Sequence, residues 1–124
     1  MAFIKKTVIT GTTHATAGTL TAYSNVCVNG KILRIDYTKT DFSDGSVMTI
    51  TGATSGVAIW AETGVNASAT RYPRAQCHST AGVALTYDNT RTVCEPIPIN
   101  DEFLQIVVSG AGNSKVGTWT IYYE

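Results

Sequence analysis

For chemistry, this 124-residue chain offers two histidines (His14 and His78), three cysteines (Cys27, Cys77 and Cys94) and nine acidic residues. Nucleophilic catalysis needs a nucleophile, a base and an orienting group that converge. Neither histidine lies in a glycine elbow of the G-x-S-x-G kind. Cys77 and His78 are adjacent, but neighbours on an extended chain point to opposite faces. A zinc site takes about four His or Cys ligands, often in closely spaced pairs, and these five candidates show neither C-x-x-C nor H-x-x-x-H. Asp36, Asp41 and Asp44 lack the calcium-loop pattern and its distal glutamate. Gly110-Ala111-Gly112-Asn113-Ser114-Lys115 lacks the Walker spacing and falls between two expected strands, so it reads as a hairpin. Asn66-Ala67-Ser68 matches a glycosylation sequon, which means little without a secretory leader. The remaining acids fall mostly at loops and strand ends, where solvation accounts for them. The expectation is a chain without catalytic residues, metal or cofactor.

Charge narrows the partners. Nine Lys plus Arg balance nine Asp plus Glu, for a net charge near zero. Nucleic acid demands clustered positive charge, which is missing here, and anionic membranes attract such a chain no better. No apolar run approaches the ~18 residues of a membrane span. An odd cysteine count is not a disulfide framework. The expectation is synthesis in a reducing cytoplasm with buried free thiols.

The elements that would position any site are strands. Twenty Thr, eleven Val and ten Ile favour a pleated surface, and glycines fall between the apolar stretches. Period-two alternation places strands at Phe3–Thr10, Gly18–Ser24, Lys31–Thr40, Ser46–Thr51, Val57–Glu62, Val83–Tyr87, Thr90–Ile99, Phe103–Ser109 and Val116–Glu124. Asn29-Gly30 suits a type I′ hairpin turn. In the third strand, Leu33, Ile35 and Tyr37 are expected to share the buried face, opposite Arg34 and Asp36. Pro96 and Pro98 argue for an edge strand or an irregular ladder. Residues 63–80 form the least regular stretch. The class is all-β: a single domain over residues 1–124, an antiparallel β-sandwich of about eight strands, jelly-roll-like.

Binding remains as a role. Arg and Tyr are favoured anchors at protein interfaces, and Arg71, Tyr72 and Arg74 cluster on the irregular stretch around Pro73. Phe3, Ile4, Lys5 and Lys6 form an apolar-basic start. Residues 1–6 are either the beginning of the first strand or an arm that adds a strand to a neighbour's sheet edge.

The stretch VNGKILRIDYTKTDFSDGSVMTITGATSGVAIW, the segment RYPRAQCHSTAGVALTY and the ending PIPINDEFLQIVVSGAGNSKVGTWTIYYE resemble small head decoration, or cement, proteins of tailed bacteriophages. The similarity runs over residues 28–124 as a pattern of strands and turns, without a chemical signature. It implies a β-sandwich made in the host cytoplasm and carried on the outer surface of the virion capsid. Its partners would be the major capsid protein and copies of itself, as dimer or trimer. The rival from another class is a carbohydrate- or receptor-binding sandwich, in which Trp60, Trp119 and the tyrosines would form a sugar-stacking platform. Exposure of the two tryptophans decides between them. A hydrolase, the third reading, would need His78 to meet an acid and a nucleophile in space.

Overall fold

Alternating apolar and polar residues build two antiparallel sheets that pack face to face; the computed structural model describes residues 3–124. The strands are β1 (Lys5–Thr12), β2 (Leu20–Tyr23), β3 (Val28–Lys39), β4 (Ser46–Gly52), β5 (Ala58–Val65), β6 (Ala69–Arg71), β7 (Arg74–Gln76), β8 (Cys94–Glu102), β9 (Leu104–Ser109) and β10 (Val116–Tyr123). No helix among the described residues is long and apolar enough to cross a membrane. One sheet runs β1-β10-β3-β8-β7, with β6 also on β3, and the other runs β2-β9-β4-β5. The eight long strands therefore pair in jelly-roll order, β1-β10-β3-β8 against β2-β9-β4-β5. The short β6 and β7 are inserted between β5 and β8.

The core is the inward row of each strand. Ile9, Trp119 and Tyr37 stand side by side across β1, β10 and β3, and Thr7, Ile121 and Ile35 form the next row. Met48, Ile50, Leu104, Ile106 and Val108 face them from the second sheet, all fully buried. Phe42, from the loop after β3, completes an aromatic cluster. Its ring centroid lies 6.1 Å from Tyr37 and 5.8 Å from Trp119, and Tyr37 stacks on Trp119 at 5.6 Å. Burial, with Asp41 adding to it, pushes the Tyr37 phenol up to about 12. The Tyr37 hydroxyl and the Trp119 Nε1 are both buried without a hydrogen-bond partner. An unpaired buried hydroxyl costs free energy. Tyr37→Phe is therefore expected to hold or raise stability, by about 1 kcal/mol. A chemical denaturation midpoint that falls instead would show that the hydroxyl is satisfied.

Several local expectations change. Leu33 does not share the buried face with Ile35 and Tyr37. β3 carries a bulge opposite Tyr122 and Tyr123, so Tyr122 pairs Arg34 while Tyr123 pairs Ile32. The extra residue turns Leu33 outward and gives its inward place to Ile32. Asn29-Gly30 is not a hairpin turn but lies inside β3, beside a second irregularity against β8. The chain crosses from one sheet to the other just before, after Ser24 extends the β2–β9 pairing: its amide donates to the Leu104 carbonyl and its hydroxyl accepts from the Leu104 amide. The expectation for Pro96 and Pro98 holds: the first half of β8 pairs β7 and its second half pairs β3 with a register shift, so each half is an edge with one paired flank, and a proline nitrogen facing the other costs no ladder bond. Val83–Tyr87 forms only isolated bridges rather than a strand. The thiols are not buried: Cys27 and Cys94 are exposed and Cys77 partly so, all three free.

Candidate functional site

Beside the bulge in β3 lies a groove on the outer surface. By turning Leu33 outward at one end of the larger sheet, the bulge sets it next to Arg34, which already faces out beside Tyr122 of β10. Tyr72, on the link between β6 and β7, and Arg74, at the start of β7, close the far side, and Ile4 closes the near side. The open space is about 400 Å³. The bulge also frees the Leu33 carbonyl, and Arg74 uses it: its Nη1 donates to Leu33 at 3.0 Å and to the Pro73 carbonyl at 2.7 Å. Those two bonds fix the guanidinium at the groove wall. Arg74 has no carboxylate within ion-pair distance among the described residues.

Arg34 lies over the Tyr122 ring at 4.3 Å, and its Nε sits 3.3 Å from Asp36 Oδ1. Lys6, Tyr122 and Arg34 form one outward row across β1, β10 and β3. The result is an apolar floor with two tyrosines and a positive rim. Such a surface suits a protein partner with an apolar side chain next to acidic groups. It offers no nucleophile and no acid–base pair.

The seven residues singled out from sequence are thus partly brought together. Ile4, Tyr72 and Arg74 meet in the groove, although the chain separates them by about seventy positions. Phe3 is exposed just before β1, and Lys5 and Lys6 belong to that strand. Residues 3–6 thus lead into the first strand, while residues 1–2 of the expected arm lie outside the described residues. The Lys5 ammonium sits 5.2 Å from the Tyr123 ring centre.

Arg71 goes elsewhere. Its register partner is Ile35, an inward residue, so Arg71 points between the sheets. It grips Glu62 of β5 with two bonds, Nε to Oε1 at 2.8 Å and Nη2 to Oε2 at 2.9 Å, while Trp60 Nε1 donates to Oε1 at 3.2 Å. This clasp joins the two sheets along the side where β5 and β6 run. Leu33, Arg34 and Tyr122 escaped the sequence reading because they look like ordinary strand residues. The sequence carried no signal for the bulge, because Leu33, Ile35 and Tyr37 keep the period of two, and Ile32 takes the inward place only through the register shift.

The clasp predicts a pH dependence. Arg71, helped by Trp60, holds the Glu62 carboxyl below its ordinary value of 4.5 despite partial burial. A lowered folded value means that the contribution is fully present above about 4.5 and is lost as the pH falls through the folded value. Glu102, whose carboxylate accepts from the Thr54 and Ser55 amides at 3.0 Å, is lowered in the same direction. Melting followed from neutral to acid pH should show stability falling in this range. Glu62→Gln should cost about 1 kcal/mol at neutral pH, as a partly exposed bidentate pair does, and flatten that fall. An unchanged acid profile would remove the clasp from the account.

The remaining candidates for chemistry are dispersed. Trp60 and Trp119 are both buried, so neither offers a stacking face, and the sugar platform expected from them is missing. His14 Nδ1 accepts from the Thr16 and Ala17 amides, a local turn contact. Burial, with Glu95 beside it, pushes the Cys77 thiol up, away from the thiolate form a nucleophile needs. Among the described residues no three His, Cys, Asp or Glu side chains gather as a metal site would require.

No protein-family model matches the chain, and no curated protein does. Among solved structures, dimeric latent PorU from Porphyromonas gingivalis is similar over 99% of this chain at 9% sequence identity, with a TM-score of 0.38. The chain spans 13% of that protein's length. A likeness this distant carries no argument about fold or function.

Proposed function

We propose that the chain is a bacteriophage capsid decoration (cement) protein, which binds the outer surface of the major capsid protein shell and stabilises the mature head. The observation that carries the proposal is the groove. It places Arg34, Arg74, Tyr72 and Tyr122 around an apolar floor at one end of a sandwich, and residues of these types concentrate binding energy at protein interfaces. The sequence resemblance over residues 28–124 supplies the identity of the partner. The protein acts as a surface, without catalysis or cofactor, and associates with further copies of itself on the particle.

The physical mechanism is mass action. A protein that binds the mature lattice but not the immature one stabilises the mature form by about 2.7 kcal/mol per site when its free concentration is a hundred times Kd. Many sites on one shell add up to a large resistance to internal pressure, without any single strong contact.

Mixing the purified protein with undecorated heads of the encoding phage tests this. The expected result is saturable binding and heads that survive higher temperature and chelator. Tyr72→Ala combined with Arg74→Glu should weaken binding by about thirtyfold or more, the loss of a hot spot worth at least ~2 kcal/mol. Heads that stay bare at saturating protein would overturn the proposal.

A further inference from the structure

The four arginines of the chain use their guanidinium groups differently. Arg71 presents its side edge, the parallel N–H bonds of Nε and Nη2, to the Glu62 carboxylate at 2.8 and 2.9 Å. Arg91 turns Nε to Asp88 at 3.1 Å, and Arg34 turns Nε to Asp36 at 3.3 Å. Arg74 is the exception. Its Nη1 donates to two backbone carbonyls, those of Leu33 and Pro73, while Nε and Nη2 meet no acceptor among the described residues. The side chain is exposed. Two anchored bonds hold the guanidinium plane in place before any ligand arrives. The free edge is therefore a preformed fork of two donors, the shape that a carboxylate matches with both oxygens. A fork already held in place spares a partner part of the ordering cost of a long side chain.

The surroundings select what the fork can take. Ile4, Leu33, Tyr72 and Tyr122 line the same groove and supply apolar surface beside it. Lys6 and Arg34 flank Tyr122 in one cross-strand row, and Asp36 offsets one of those two charges. With Arg74 the groove carries a net positive field, which attracts acidic groups and repels basic ones.

We propose that the Arg74 fork grips an Asp or Glu side chain of the partner protein through two hydrogen bonds, as Arg71 grips Glu62, while an apolar side chain two residues along the same extended segment lies on the apolar lining of the groove. Alternate residues of an extended segment share a face and stand about 7 Å apart. An apolar-x-acidic pattern thus meets both parts of the groove at once. The inference rests on the reading of this groove as a protein-docking surface, and it adds the chemistry that the surface recognises.

Nuclear magnetic resonance of the isotope-labelled full chain tests the grip, with the blocked peptide acetyl-Thr-Leu-Thr-Glu-Thr-Leu-Thr-amide as the probe. Leucine on both sides of the glutamate makes the result independent of the peptide's direction. The expected result is a saturable shift of the Arg74 Nε–Hε resonance, with shifts at Leu33, Tyr72 and Tyr122. The same peptide with glutamine in place of glutamate should bind about tenfold more weakly, or worse. Arg74→Gln should erase that preference. Arg74→Lys, which keeps the charge without the fork, should lose most of it, and Arg91→Gln, on the segment between β7 and β8, should retain it. No shift with the glutamate peptide, equal binding of the two peptides, a preference that survives Arg74→Gln, or an Arg74→Lys chain that matches the native one would each overturn the proposal. Acetate that shifts the Arg74 resonance at the peptide's concentrations would overturn it too, since the fork would then be a site for small anions. The assay contains no phage heads, so the grip and the capsid reading stand or fall separately.

Discussion

Trp119→Ala is expected to lower stability by about 3–5 kcal/mol, the range for truncating a buried aromatic. Trp119 is fully buried, flanked by Ile9 and Tyr37 in its cross-strand row, and it closes the aromatic cluster with Tyr37 and Phe42. The strands on either side are fixed by their ladders, so the space left behind cannot collapse, and the cavity adds to the lost transfer energy. For a domain of ordinary stability, about 5–15 kcal/mol, this is a large share. The measurement is urea denaturation followed by far-ultraviolet circular dichroism. A loss below about 1 kcal/mol would mean that the cluster is not the centre of the core.

The second large effect is at Gly30. Its φ of 130° lies where L side chains are rarely found, and a Cβ there would collide with the carbonyl oxygen of Glu124. That carbonyl is held in place: it accepts from the Lys31 amide at 2.7 Å, and the Glu124 amide donates back to Lys31 at 3.0 Å. Gly30→Val therefore pays backbone strain of about 1–3 kcal/mol and also levers the end of the chain off β3. Hydrogen exchange should show the Lys31 and Glu124 amides losing protection first. Gly45 is the control. Its φ is 82° but nothing lies within 4 Å of its missing Cβ, so Gly45→Ala should cost only the local strain of about 1–2 kcal/mol. Equal losses at the two positions would contradict the collision.

Gly30 also shows where sequence reading ran short. An Asn-Gly pair between apolar stretches signals a hairpin turn, yet here the glycine serves a close approach of two backbone segments. Nothing local distinguishes the two uses, because the approaching residue is Glu124. β6 and β7 were missed for a related reason. Each is three residues long, too short for alternation to register, and each exists through its pairing with β3 or β8. The eight long strands were legible because Leu104, Ile106 and Val108, or Trp119, Ile121 and Tyr123, repeat with period two and are buried as that period requires. Strand spacing and turn residues pointed to a two-sheet sandwich, with a jelly-roll as the preferred form; the strand order itself comes from the pairing.

The groove was half legible. Tyr72, Arg74 and Ile4 stood out by type and position, whereas Arg34 and Tyr122 join them through register. Their pairing is the regular β3–β10 register, and the bulge one residue beyond it adds Leu33 to the same side. Arg71 shows the reverse: it has the type of an interface anchor, but its inward register turns it into a clasp on Glu62. In a sandwich, residue type proposes a role and parity along the strand assigns the face.

Imaging the encoding phage's heads at side-chain resolution, after incubation with the protein, bears most directly on the central proposal. The account predicts a jelly roll on the outside of the shell with the Tyr72–Arg74 end of its groove against the capsid protein. Shells that remain bare, or a bound domain whose groove faces solvent, would contradict it.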